Sequence, residues 1–324
     1  MITRRTLALL APALLLPALP LPALAQGTPP ALPRTITLIV PFGPGTVVDI
    51  MARAYAEPLR QALGGGTTVV VVNREGAGGS IAAAAVAQAR PDGATIGFGP
   101  SGMLTTQPFL VPSLTYRLDR FEAICQTFEN VFALAVPARS PHRTLAEFLA
   151  AAREKPESLS FGHAGNGTVG HLIGRQLEIL SGTRFNDVAY RAGGQMMTDA
   201  QAGTVDMVAT TWATLRDSGL RLLAVAADAR DPTLGQVPTL AELGFPVNWR
   251  GFGGLWAPVG LPQPVAQRLE AACLEATASD TYRSVMASAA QVVAPLDARR
   301  FSDRLVAEQR EAQALLGRLG LIAP

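Results

Sequence analysis

The 324 residues, 48% hydrophobic and 16% charged, have the composition of a well-buried globular protein and exclude a disordered or fibrous chain. Basic residues number 27 and acidic ones 25, but Arg4 and Arg5 lie in a leader-like segment, so the remainder is near neutral. That balance argues against nucleic acid or anionic lipid as partner, since both need a basic surface.

Basic Arg4 and Arg5 precede an apolar run from Leu7 to Leu24, and Ala23-Leu24-Ala25 has the A-x-A form of a signal-peptidase site. Pro12, Pro17, Pro20 and Pro22 interrupt the run, which disfavours a retained anchor. Residues 1–25 therefore read as a cleaved export signal, with the mature chain starting at Gln26 in the periplasm. No Cys follows the cleavage site, which argues against a lipid anchor, and Thr3-Arg-Arg-Thr-Leu7 matches a twin-arginine signal only loosely. The remaining length, about 300 residues, exceeds what one core usually serves, so two domains are expected.

Beyond the leader, strands and helices alternate. Thr37 to Val40 reads as a buried strand that breaks at Pro41, passes a Gly/Pro turn and enters an amphipathic helix from Thr46 to Leu63. Pro58 is expected to kink or split that helix, and Thr46 with Asp49 has the spacing of a capping box. Thr67 to Asn73 is a Val-rich strand, Ser80 caps a helix to about Arg90, and Ala94 to Phe98 is a third strand. Further strands are expected at 131–136, 159–162, 187–191, 204–209 and 222–226, with helices capped at Thr144 and Thr239 and a helix from Thr168 to Ser181. Three helices starting near Gln263, Ser279 and Asp297 follow. This alternation predicts an α/β fold of parallel-rich sheets covered by helices, with ligands at the carboxyl ends of the strands. Cys125 lies in an apolar run and Cys273 on a helix; a lone pair so far apart is no framework, and two buried free thiols are expected.

Three Gly-rich turns carry the functional signal: Gly43-Pro-Gly45, Gly76-Ala-Gly-Gly-Ser80 and Gly162-His-Ala-Gly-Asn-Gly-Thr168. Each joins a strand to a helix, aiming free backbone N–H groups and the positive end of a helix dipole at one point, which favours an anion. His142, His163 and His171 are scattered, and the spacing of the last two fits no common zinc site, so no metal is expected. Neither Ser80 nor Ser101 sits in a G-x-S-x-G elbow. Gly165-Asn-Gly-Thr-Val-Gly170 fits G-x-G-x-x-G, making an exported dinucleotide enzyme the alternative from another class. Its mid-chain position and very short strand weigh against it.

Val40-Pro-Phe-Gly-Pro-Gly45 with Asp49 and Ala52-Arg53, then Asn73-Arg-Glu-Gly-Ala-Gly-Gly79, resembles the start of the Bug-type solute-binding proteins, the extracytoplasmic receptors of tripartite tricarboxylate transporters. The resemblance continues in order through Pro91-Asp-Gly93, Gly165-Asn-Gly-Thr168 with His171-Leu172, Tyr190-Arg191, Gly203-Thr-Val-Asp206, Val237-Pro-Thr239 and Ala257-Pro258. It implies a two-domain Venus-flytrap fold of the type II periplasmic-binding-protein kind. Domain 1 would hold residues 33–132 plus 254–324, and domain 2 residues 133–253, with two crossings between them. It further implies a monomeric receptor without catalysis or cofactor, handing a small organic acid to the membrane subunits of a transporter; an orphan sensor of the same fold is the alternative. By analogy the ligand contacts are Phe42, Gly43, Gly45, Thr46, Val48, Asp49, Ala77, Gly79, Ser80, Ser101, Gly102 and Met103 on one side. On the other they are His163, Gly165, Asn166, Gly167, Thr168, Tyr190, Arg191, Thr210, Thr211 and Trp212.

Departures from the family pattern fall in those same loops. Val48 stands where a Ser or Thr is usual, His163 where a small Ser is common, and Thr210-Thr-Trp212 replaces a polar segment. Asp49 reads as a helix cap before a ligand contact, and Tyr190 equally as packing or contact. Trp212 leans to a cleft wall, while Arg191 is the only cation in these loops and a candidate bidentate partner for a carboxylate. Lost hydroxyls and gained ring surface predict a ligand with one carboxylate and an apolar or aromatic body, ahead of citrate.

Overall fold

The first strand shows why its sequence is apolar almost throughout. In the computed structural model, which describes residues 32–190, 193–227, 230, 234–247 and 249–322, β1 (Thr35–Val40) turns Ile36, Leu38 and Val40 to one core and Ile39 to another. Helices cover both faces along Leu38, Ile39 and Val40, so that end is continuously apolar, while Thr35 is exposed and Thr37 half-buried. The export signal and Arg191 lie outside the described residues.

From β1 the chain runs through α1 (Val47–Leu63), β2 (Thr68–Asn73), α2 (Ser80–Ala87), β3 (Thr95–Pro100) and the short helices α3 (Gly102–Thr105) and α4 (Gln107–Leu110) into β4 (Phe121–Asn130). After Val131 it enters β5 (Phe132–Val136), α5 (Leu145–Glu154), β6 (Ser160–His163), α6 (Val169–Ser181), β7 (Asn186–Ala189), α7 (Gly193–Ala202), β8 (Met207–Thr211), α8 (Trp212–Leu215) and β9 (Arg221–Ala226). It returns through β10 (Gly251–Pro258), then α9 (Gln263–Thr277), α10 (Asp280–Ser288), β11 (Val292–Leu296) and α11 (Ala298–Arg318).

Among the described residues the strands form two sheets, ordered β11-β4-β10-β3-β1-β2 and β7-β6-β8-β5-β9. The parallel expectation holds for the βαβ parts, where Leu38 pairs with Val71 and Ile96, and Gly162 with Val188 and Val208. The strands that carry the chain between sheets run antiparallel to their neighbours, as β10 does to β3 and β4, and β5 to β8 and β9. Both sheets are therefore mixed. The sheet changes fall at Asn130–Phe132 and between Ala226 and Gly251.

A further link joins the two halves. α11 packs Phe301 and Leu305 beside Phe252 of β10, while Ala312, Leu315 and Leu316 on the same stripe enter the core of the second sheet with Phe148 and Leu177. One helix thus ties both cores together.

Four sequence readings are corrected. Pro58 neither splits nor ends α1, which continues as one helix of 17 residues, held by packing on β2, α9 and α10. Ser80 is the first residue of α2 and not its cap; Gly79, in the left-handed region, holds the cap position. Thr239 and Glu242 make both capping-box hydrogen bonds, yet no helix follows, because Gly244 and Pro246 close the segment as a turn. Cys125 and Cys273 are not free thiols: they form a disulfide with Cα atoms 6.2 Å apart, stapling α9 to β4.

Because that bond closes a long loop, removing it with Cys125→Ala and Cys273→Ala is expected to lower stability by about 2–4 kcal/mol. Neither Cys lines the cleft described below, so the denaturation midpoint should fall while ligand affinity stays. An unchanged midpoint would show the staple to be idle.

Candidate functional site

Loops at the carboxyl ends of β1, β3, β6 and β8 converge on a cavity of about 270 Å³ between the sheets. That is room for roughly nine waters at about 30 Å³ each, the size of a small organic acid.

Of the sequence-predicted contacts, Phe42, Val48, Ser101, Gly102, Met103, Gly167, Thr168, Thr210 and Thr211 line this cavity. Gly43, Gly45, Thr46, Asp49, Ala77, Gly79, Ser80, His163, Gly165, Asn166, Tyr190 and Trp212 are not among its lining residues. Several of these instead hold the lining loops in shape. Asp49 is 2% exposed and accepts from Gly45 N at 2.9 Å, Arg53 Nε at 3.0 Å and Asn73 Nδ2 at 2.8 Å. Burial pushes this carboxyl up, but those donors outweigh it and keep it below the usual carboxylate range. Thr46 Oγ1 accepts from Asp49 N, so the start of α1 is capped from within, although Asp49 returns its bond to Gly45 and not to Thr46. Tyr190 donates to Asp199 Oδ2 at 2.9 Å and, like Trp212, packs on an apolar cluster of the second sheet.

α6 differs from α1 at its start. Thr168 occupies the cap position, but its hydroxyl donates to Gly165 O at 2.7 Å and caps no amide of the helix. The first turn of α6 therefore lacks a side-chain cap where Gly167, Thr168, Val169 and Gly170 border the cavity. Gly170 lets the helix sit this close to β8, since a Cβ there would come within 2.4 Å of Ala209 O.

Behind the loop lies a group that the sequence leaves scattered. His163 and His171 are buried, and their ring nitrogens lie with Asp187 inside 4.8 Å of one another. Gly165 N donates to His163 Nδ1 at 3.2 Å and Gly167 N to His171 Nδ1 at 3.1 Å. Both rings consequently carry their proton on Nε2, where His163 meets Asp187 Oδ1 at 3.1 Å and His171 approaches Oδ2 at 3.9 Å. A metal on Nε2 would move each proton to Nδ1, facing an N–H donor. The group fits an anchor for the Gly165–Gly167 amides better than a cation site. Burial, then the neighbouring His163, pulls His171 down to about 4 and keeps it neutral.

The lobes touch across the cleft. Gln107 Nε2 of α4 donates to Asn166 O at 3.2 Å, and Gly167, at φ +76°, faces Leu110 so closely that a Cβ would lie 2.1 Å from its Cδ1.

Lining residues that the sequence did not mark are Met51, Asn130, Phe132, Leu172, Gln291 and Glu308. Phe132 and Asn130 flank a sheet change, and Gln291 and Glu308 come from the C-terminal part of the chain. Glu308 left one signal: it falls on the apolar stripe Phe301, Leu305, Ala312, Leu315 of α11. Among the described lining residues there is no Lys or Arg, and Glu308 is the sole ionisable group. Ring surface comes from Phe42 and Phe132, not Trp212.

The sequence profile of the tripartite tricarboxylate transporter family receptor, TctC, matches residues 51–321. A Pseudomonas sp. (strain P51) relative, the UPF0065 protein in the tcbD-tcbE intergenic region, is 36% identical over 256 residues, covering 76% of this chain and 74% of its own. Protein BugT of Bordetella pertussis is 30% identical, covering 66% and 67%. Among solved structures, R. palustris Rpa4515 with adipate has a TM-score of 0.79 at 26% identity, over 90% of this chain and 98% of that one. MatC (Rpa3494) from Rhodopseudomonas palustris with bound malate has a TM-score of 0.75 at 28% identity, over 87% and 98%. The periplasmic binding protein BugD has a TM-score of 0.77 at 26% identity, over 89% and 98%. Two mixed sheets, a cleft at their strand ends and these likenesses agree: the chain belongs to the TctC family of solute-binding receptors.

Proposed function

We propose that this chain is a periplasmic receptor that captures one small monocarboxylate with an apolar or aromatic body and presents it to the membrane subunits of a tripartite transporter. The observation that carries this reading is an uncapped helix start bordering a mostly apolar cavity whose described lining has no cation. A carboxylate at the first turn of α6 accepts from its uncapped amides, while His163 and His171 behind it hold Gly165 N and Gly167 N in place. The body of the acid then meets Phe42, Met51, Phe132 and Leu172. Burying ~100 Å² of ring contributes about 2.5 kcal/mol, whereas extra carboxylates without donors each cost several kcal/mol. Adipate in Rpa4515 and malate in MatC support a carboxylate as the ligand class.

In this reading the leader is cleaved after Ala25, the mature protein is a monomer, and the ligand leaves unchanged. The lobes correspond to residues 33–132 plus 254–324 and 133–253, with α11 bridging them.

Thermal shift and calorimetry with benzoate, hexanoate, succinate and citrate test it. A monocarboxylate at about 100 times its dissociation constant should stabilise the protein by about 2.7 kcal/mol, and citrate should not. Tight citrate binding without a monocarboxylate signal would overturn the ligand class, and a chemically altered acid would overturn the receptor reading.

A further inference from the structure

A carboxyl group in the cavity of an anion receptor needs a reason. Glu308 lines the cavity, is 7% exposed, and has no cation beside it among the described lining residues. The charges nearby are otherwise engaged. On its own helix, Arg304 pairs with Glu129 and Gln126 and lies over the Phe252 ring, and Glu311 follows one turn on. From β4 and the approach to β10, Glu129 pairs with Arg250 at 3.3 Å. α3 brings only hydroxyls to it, and His171 of α6 is committed to Gly167 N and Asp187.

The polar support for this carboxyl is slight. Thr105 Oγ1 donates to Glu308 Oε2 at 2.7 Å. A hydroxyl donor compensates a buried charge far less than a cation does, so a Glu308 shut away from water is poised to take a proton.

We propose that Glu308 is a specificity-determining residue, taking up one proton from solvent as the cavity takes one carboxylate, so that the occupied cleft holds one negative charge and refuses a second. The inference rests on the carboxylate-receptor reading above. Burial, with a smaller push from Glu311, raises Glu308 to about 7 against the pull of the Thr105 and Ser101 hydroxyls and Arg304. A ligand anion enclosed in the same cavity raises it further, because two like charges in a water-poor space disfavour each other. Binding and protonation are therefore linked. Above neutrality the proton must be acquired on binding, and affinity falls with pH.

The test is calorimetry with benzoate, which is fully ionised throughout the range used. In phosphate and in Tris, whose ionisation heats differ, wild type at pH 8 should take up close to one proton per ligand. Its dissociation constant should rise about tenfold between pH 6 and pH 8. Glu308→Gln should bind benzoate with no buffer-dependent heat and a flat pH profile, about tenfold tighter than wild type at pH 8. Adipate should gain most from that substitution. Wild-type benzoate binding that is pH-independent and takes up no proton would overturn the Glu308 assignment and leave the receptor reading standing. Failure of benzoate, adipate and malate to bind at any pH would overturn the receptor reading itself.

Discussion

Replacing Gly167 with Ala is expected to weaken ligand capture by about ten- to a hundredfold while the protein still folds. At φ +76° an L side chain costs about 1–2 kcal/mol of backbone strain, which lowers stability in the open and closed forms alike; the loss of affinity comes from a contact between the lobes. The added Cβ would lie 2.1 Å from Leu110 Cδ1, on the opposite lobe. That contact exists only when the lobes meet, as the Gln107 to Asn166 bond shows them doing here. The substitution therefore opposes the closed form more than the open one, and a ligand that works by closing the lobes loses that difference. Isothermal calorimetry on Gly167→Ala reads it directly. Unchanged affinity would mean that the loop does not approach Leu110 when ligand is bound.

Glu308 also gives the unliganded protein an unusual response to pH. Its native value of about 7 lies above the 4.5 of an unburied carboxyl. A raised value means that the native state holds the proton more firmly than the unfolded one. The resulting stability is full below about 4.5 and is lost as pH rises through 7. At pH 8 the loss is about 3 kcal/mol, so Glu308→Gln should be the more stable protein there, with the difference vanishing near pH 4. His171 acts from the other side. Its native value is pulled down to about 4 from 6.5, so its contribution is present above 6.5 and lost as pH falls through 4. Protonating His171 also turns Nδ1 into a donor facing Gly167 N, which releases the loop. Denaturant titrations from pH 4 to 8 on wild type and Glu308→Gln should show the two stability curves diverging as pH rises. Parallel curves would exclude a buried, proton-holding Glu308.

What the sequence disclosed was local. The Gly/Pro turn before α1 and the cap at Thr144 depend on neighbours within a few residues, and the structure places them within a residue or so of the reading. Strands β4 and β10 were not legible in that way. Gly253 and Gly254 look like a loop, yet they are glycines because Gly99 O and Cys125 O would stand 2.2 and 2.1 Å from a Cβ. Only the sheet supplies that reason. The same holds for Cys125 with Cys273, joined across the contact of β4 with α9, and for Asp187, which the parallel register of β6 and β7 brings to the two histidines. The candidate site divides likewise. Phe42, Ser101 and Gly167 were legible through the family resemblance, whose loops fall at strand ends, whereas Phe132, Gln291 and Glu308 reach the cavity through a sheet change and the C-terminal part of the chain.

A crystal structure of the mature protein with benzoate decides where the acid sits. The carboxylate is expected within about 3 Å of amides in the first turn of α6, the ring against Phe42 and Phe132, and Glu308 on the cavity wall without an ion pair. A carboxylate bound elsewhere, away from Gly167–Gly170 or paired to an arginine, would contradict that placement.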